Sequence, residues 1–338
     1  MSATKQWTEE EKKQLKIFII VNFGMTILMG IVMGISYKQG NDVTAFASTQ
    51  MMYPAAGVIL ALIVTVGKKK KLPMKFFVTY LVTTVLALLL TVAGVIIPST
   101  IWYLIENYVF ILGSIISWIM LLMEKKEIRD EFVLRFGGHG TGKSFLLMLL
   151  FLGLYILRLF LAGLMDGSVG EVIGIFAAPG TWLMMGVLII NFYLTFIIFF
   201  GEEYGWRYFL QPMLQKRFGL KGGVILLGVI WGLWHLPINV YYYSPDTWFY
   251  SVLIHQITCI SFSIFFGYAY GKTGNMWVPV VIHYINNNMA AVLTGTGDLG
   301  NQVYGWKEVL TILVLNGILF VPFLFSKVYK ERKENVSL

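Results

Sequence analysis

Apolar runs of 17 to 23 residues recur along the chain, separated by short polar or basic segments. About 20 apolar residues in helical geometry cross the hydrocarbon of a bilayer. Ten runs qualify by length, at 17–36, 48–66, 75–97, 101–123, 145–165, 181–200 with an extension, 222–240, 251–271, 277–293 and 309–325. The pattern predicts an all-α fold, a polytopic transmembrane helical bundle of about ten spans. The ninth run is short and carries a histidine and several asparagines, so it is the least apolar of the set. Thr8 and Glu11 have the spacing of a capping box, which opens a helix leading into the first span.

Composition strengthens this picture. Of 338 residues, 57% are hydrophobic and 13% charged, against about a quarter charged in soluble domains. One cysteine, Cys259, excludes a disulfide framework and a cysteine-rich metal site. The net charge of +8 would suit nucleic acid only if the basic residues formed one patch. They instead sit in short clusters between spans, and no nucleic-acid partner is expected. With the N-terminus cytoplasmic and ten crossings, 23 of the 26 Lys and Arg residues fall in inner segments. Lys38 and Lys307 fall outside and Arg158 lies within a span. That segregation follows the positive-inside rule and predicts both termini on the cytoplasmic side. The polar, mixed-charge stretch 1–16 does not read as a signal peptide. The expected organisation is a cytoplasmic segment at 1–16, a four-span region with an inner loop at 17–144, a membrane core at 145–293, and a last span with a basic tail at 294–338.

Ionisable residues inside a membrane are costly and mark sites. One cluster ends the sixth run, Gly201-Glu202-Glu203-Tyr204-Gly205-Trp206-Arg207. The seventh carries Trp231-Gly232-Leu233-Trp234-His235, and the ninth His283-Tyr284-Ile285-Asn286-Asn287. Counted from the basic anchors Lys216, Lys221 and Lys272, Glu202, His235 and His283 lie 14, 14 and 11 residues away. At 1.5 Å per helical residue these are heights of about 21, 21 and 17 Å, a common level within the bilayer. Glu203 and Arg207 are i,i+4 and can pair. Glu202, turned about 100° from Glu203, is left to act elsewhere. His283 and Asn287, also i,i+4, can offer two donors to one point. A carboxylate among tryptophans and glycines is partly desolvated, an environment suited to general-base work.

These residues resemble the CAAX-processing and bacteriocin-processing (CPBP, Abi) family of intramembrane endopeptidases. Its Glu-Glu-x-x-x-Arg motif is matched by Glu202 to Arg207, and its His-x-x-x-Asn motif by His283 to Asn287. The Phe-x-x-x-His motif is matched by Trp231 to His235, with tryptophan in place of phenylalanine. The resemblance covers roughly 145–293. It implies an intramembrane peptidase in which Glu202 activates a water, His235 helps to hold it, and His283 with Asn287 forms the oxyanion hole. Glu203 and Arg207 would support them. The implied partners are a peptide or lipidated-protein substrate and the lipid bilayer, and the expected location is a bacterial plasma membrane. The family is also labelled metallopeptidase, and zinc on Glu202, His235 and His283 is the alternative. In the absence of a His-Glu-x-x-His motif, a metal-free site with no cofactor is the preferred expectation.

Other signals carry less. Gly137 to Ser144 matches the spacing of a phosphate-binding loop, but that chemistry needs a preceding strand and a sheet domain, and here a membrane span follows. His139 within it has no assigned role. Glu106 and Arg158 lie at similar depth with opposite charge, which suggests a salt bridge between the fourth and fifth spans. His255 reads as a hydrogen-bonding core residue, with a role in the site as the alternative. The functional alternatives are a non-catalytic immunity factor or scaffold holding a partner membrane protein, and a transporter. Confinement of the polar cluster to spans six, seven and nine disfavours the last, since carriers usually have two related halves.

Overall fold

The computed structural model describes residues 6–137, 140–294 and 299–330, and the side chains of all of these but Thr294. The described residues form helices and no strand. In chain order the α-helices are α1 (Glu9–Lys38), α2 (Thr44–Gln50), α3 (Tyr53–Thr65), α4 (Met74–Ile96), α5 (Ile101–Leu122), α6 (Lys126–Glu131) and α7 (Thr141–Asp166). They continue with α8 (Val169–Ala177), α9 (Pro179–Glu203), α10 (Gln211–Trp234), α11 (Leu236–Ile238), α12 (Trp248–Thr273), α13 (Trp277–Thr294) and α14 (Trp306–Leu319). The capping box at Thr8 and Glu11 opens α1 as expected. The segment resembling a phosphate loop runs into α7 with no strand before it, and Gly138 and His139 lie outside the described residues.

Among the described residues, eight helical segments are long and apolar enough to cross a membrane, and the protein is a polytopic membrane protein. Ten runs were expected. The difference has two sources. One segment, Pro179–Trp234, is 56 residues long, about 84 Å if straight and nearly three times the hydrocarbon thickness. It therefore holds two of the expected spans. The chain reverses at Gly219 (φ 76°, ψ 164°), a conformation that favours glycine, and the Gln215 side chain donates to the Leu220 carbonyl at 3.0 Å across the turn. The other source is α13, which is helical where expected but too rich in polar residues to qualify by composition. The second run is also broken, because Pro54 opens α3 and separates it from the short α2.

Ile20, Leu89, Leu146, Leu183 and Ile190 are exposed large apolar side chains on the outside of the bundle, as expected of a surface solvated by lipid rather than water. Inside, α10 packs on α12, α9 on α13, and α1 on α3. Without a hydrophobic drive between helices in lipid, close approach of backbones and buried hydrogen bonds hold such a bundle. Glycines make that approach possible around Glu202 and Glu203. A Cβ on Gly201 would strike the Met51 carbonyl and the Tyr80 hydroxyl, and one on Gly205 would strike Pro54. The sixth run is thereby pressed against the start of α3. The Tyr80 hydroxyl donates to the Met52 carbonyl at 3.0 Å, and Trp234 donates to Asn22 Oδ1 at 3.0 Å.

Gly205→Ala is expected to destabilise the protein by about 2 kcal/mol, as overpacking against a backbone does. Gly24→Ala, where nothing lies within 4 Å, is expected to be neutral or slightly stabilising. Unfolding in detergent compares the two, and equal stabilities would contradict the packing described.

Candidate active site

The Glu202-Glu203 pair closes α9, and the chain continues as a π-helical stretch, Tyr204–Leu210. Such wide turns recur at functional sites because they re-aim side chains out of the regular ladder. A second π-helical stretch, Asn239–Tyr243, follows the break at His235 and α11.

Glu203 and Arg207 are fully buried, and Arg207 Nε lies 3.1 Å from Glu203 Oε2. The other carboxylate oxygen, Glu203 Oε1, faces His283 Nδ1 at 2.8 Å. The guanidinium lies over the Trp231 ring (4.6 Å to the centroid) and the Phe266 ring (5.1 Å). Ring faces attract a desolvated cation. This matters because none of the three guanidinium nitrogens makes a geometrically sound hydrogen bond to a described residue. Glu202 points the other way, as its neighbouring helical position requires. Its Oε2 accepts from Trp231 Nε1 at 2.7 Å and from Trp206 Nε1 at 3.2 Å. Oε1 takes no hydrogen bond from a described residue.

Glu202, His235, His283 and Asn287 all line one cavity of about 250 Å³. Glu203 and Arg207 stand behind its wall. His235 Nδ1 lies 2.8 Å from the Trp231 carbonyl; since a carbonyl only accepts, Nδ1 carries the proton and Nε2 the lone pair. His283 differs: its Nδ1 donates to Glu203, leaving Nε2 as the nitrogen available to the cavity. Asn287 Oδ1 accepts from Asn286 at 2.9 Å, which leaves its amide N–H groups as donors. The two side chains expected to meet at one point thus share the cavity, each oriented by a different neighbour.

Several lining residues were not anticipated. The N-terminal helices contribute Thr44, Ala47 and Ser48 from α2 and Tyr103 from α5. Gln50 ties α2 to the core by donating to the Trp234 carbonyl at 2.8 Å. His255 also lines the cavity, its ring 5.1 Å from that of His235 and stacked on Tyr243 at 4.9 Å. Trp231 was read only as an aromatic replacement for phenylalanine, yet its N–H holds Glu202 and its face holds Arg207. An indole can do both where a phenyl ring cannot, and the tryptophan itself was the available signal.

One expected pair is corrected. Glu106 does not meet Arg158. The Thr49 hydroxyl donates to Glu106 Oε1, and Thr91 does so at 3.0 Å. Arg158 donates to Asn316 Oδ1 at 3.3 Å and lies over the Tyr155 ring at 4.9 Å. Equal depth gave height in the bilayer but not adjacency. Helix α5 packs on α4 and α9, whereas α7 packs on α8, α13 and α14.

Residues 181–289 match the family model described as type II CAAX prenyl endopeptidase Rce1-like. That segment is about a third of the chain and contains all three motifs. A CAAX prenyl protease 2 from Methanococcus maripaludis is 43% identical over 47 residues, 13% of this chain and 17% of that protein's length. No solved structure matches significantly. The resemblance to the CPBP family carried by Glu202 to Arg207, Trp231 to His235 and His283 to Asn287 is borne out over this segment.

Arg207→Met is expected to cost about 3–5 kcal/mol, because it strands a buried carboxylate. Adding Glu203→Gln should recover part of that loss. Stabilities of the two singles and the double in detergent check it; a double equal to the sum of the singles would mean the charges are not coupled.

Proposed function

We propose that the chain is an intramembrane endopeptidase, hydrolysing a peptide bond of a membrane-associated or lipidated substrate within this cavity. The observation that carries the reading is the convergence of Glu202, His235, His283 and Asn287 on one cavity, inside the segment that matches an endopeptidase family. Both termini are taken to be cytoplasmic, on the charge segregation along the chain.

In the proposed mechanism Glu202 acts as general base and removes a proton from a water. The hydrogen bonds from Trp206 and Trp231 fix Oε2, so Oε1 is the oxygen that receives it. His235 Nε2, a lone pair in the tautomer set by the Trp231 carbonyl, accepts the water's other hydrogen and orients it. The hydroxide attacks the carbonyl carbon and the carbonyl π pair moves to oxygen. Asn287 N–H and His283 donate to that oxyanion, His283 through a protonated Nε2 whose charge is shared with Glu203 across Nδ1. Donors fixed in a water-poor site are commonly the largest contribution to such catalysis. Glu202 then delivers its proton to the leaving nitrogen as the C–N bond breaks.

The metal-free version is favoured by the donor set. Among the described residues no three His, Cys, Asp or Glu side chains are grouped to hold a metal ion, and Glu202 Oε2 is already committed to two indoles. The tautomer of His235 does suit a metal ligand, since such histidines donate their other N–H to a carbonyl, and zinc on Glu202, His235 and His283 is what a chelator tests. A non-catalytic scaffold would have no use for a desolvated carboxylate facing a cavity.

Glu202→Gln is expected to keep the fold and lower cleavage of a membrane-peptide library by about a thousandfold or more, within the range that loss of such a group costs. Mass spectrometry of products from wild type and variant, with and without a zinc chelator, reads the result. Full activity in Glu202→Gln would sink the mechanism, and loss of wild-type activity with chelator would move the three residues to metal ligands.

A further inference from the structure

Arg158 is an intramembrane cation whose role the site does not absorb. No described carboxylate lies within ion-pair distance of it, and a charge in a membrane without a counter-ion marks a functional position. Its contacts lead toward the cavity. Arg158 Nη1 donates to Asn316 Oδ1 at 3.3 Å, and Asn316 Nδ2 donates to Thr258 Oγ1 at 3.4 Å. Thr258 lines the cavity, as does Phe262, whose ring faces the guanidinium at 5.7 Å.

The direction of this relay is fixed by chemistry. A guanidinium has no acceptor, so the oxygen of the Asn316 amide must face Arg158 and its nitrogen must face Thr258. Asn316 is fully buried and held between the two. Thr258 therefore accepts, and its own O–H remains to donate. Threonines in membrane helices usually spend that hydrogen on the carbonyl four residues back. Thr26, Thr65, Thr83 and Thr84 each do so here, at 2.7–2.9 Å. Thr258 makes no such bond to Ile254, so its hydrogen is free for the cavity.

We propose that Thr258, backed by Asn316 and Arg158, forms a subsite for a carboxylate carried by the substrate. An uncompensated positive charge two hydrogen bonds behind the donor favours an anionic oxygen over a neutral carbonyl. The carboxylate can come from a chain terminus or from an acidic side chain, and the two have the same chemistry. The proposal rests on the cavity being the substrate site proposed above, and it assigns Thr258 as a binding residue with Asn316 and Arg158 positioning it.

The test uses binding, so that it does not depend on cleavage. Glu202→Gln protein in detergent is titrated with N-acetylated tetrapeptides of leucine, valine and alanine, read by the fluorescence of the cavity tryptophans Trp231 and Trp234. One peptide ends in a free carboxylate, one in a carboxamide, and one carries a glutamate side chain ahead of a carboxamide. The free carboxylate is expected to bind roughly tenfold tighter than the carboxamide, as a hydrogen bond to a charged group implies. The preference should fall to within about twofold in Thr258→Val and Asn316→Leu and persist in Thr258→Ser, a pattern that a merely structural threonine would not give. Equal preference for the glutamate peptide would assign an acidic side chain as the source, and its absence a chain terminus. No discrimination between carboxylate and carboxamide, or discrimination unchanged in Thr258→Val, would overturn the subsite. Carboxylate-selective binding without wild-type cleavage would leave the subsite standing and remove the peptidase reading.

Discussion

One buried carboxylate organises the centre of this protein. Glu203 has no access to water and meets Arg207 on one oxygen and His283 on the other. Each of these groups alone would be expensive in lipid, and together they lower one another's cost. The consequence is geometric. The pair fixes the end of α9 against α13, brings His283 to the cavity with Nδ1 engaged, and turns the adjacent Glu202 to the opposite side. The division of labour between two consecutive glutamates thus follows from helical geometry once one of them is committed to the ion pair.

The aromatic residues extend the same arrangement. Trp231 donates to Glu202 while its face covers Arg207, so the support and the reacting group are coupled through one side chain. Trp234, three residues later, is held by Asn22 from α1 and Gln50 from the end of α2. The N-terminal helices, which lie outside the segment matching the endopeptidase family, therefore complete the wall of the cavity and brace the helix that ends in His235. Gly201 and Gly205 permit this by letting α9 and its π-helical extension approach the start of α3.

The pairing of Glu203 with Arg207 and the freedom of Glu202 were legible in the sequence, because i,i+4 spacing and a 100° turn are properties of any helix. The common depth of Glu202, His235 and His283 was legible too, from distances to basic anchors. Adjacency was not. Glu106 and Arg158 share a depth but stand on helices with different neighbours, and nothing along the chain encodes azimuth. Nor could the chain reveal which nitrogen of His235 bears its proton, since that depends on the Trp231 carbonyl left open by the helix break. The break at Pro54 went unread, since the apolar run at 48–66 continues across it, and the π-helical turns had no sequence signature.

The claim on which the account rests is that Glu203 holds His283 through Nδ1. The chain has only four histidines, which makes nitrogen-15 spectra of histidine-labelled protein in detergent readily assignable. The account predicts a protonated, hydrogen-bonded Nδ1 on His283 in the wild type, and a shift of the His283 signals in Glu203→Gln with those of His235 little changed. His283 signals that do not respond to Glu203→Gln would contradict it.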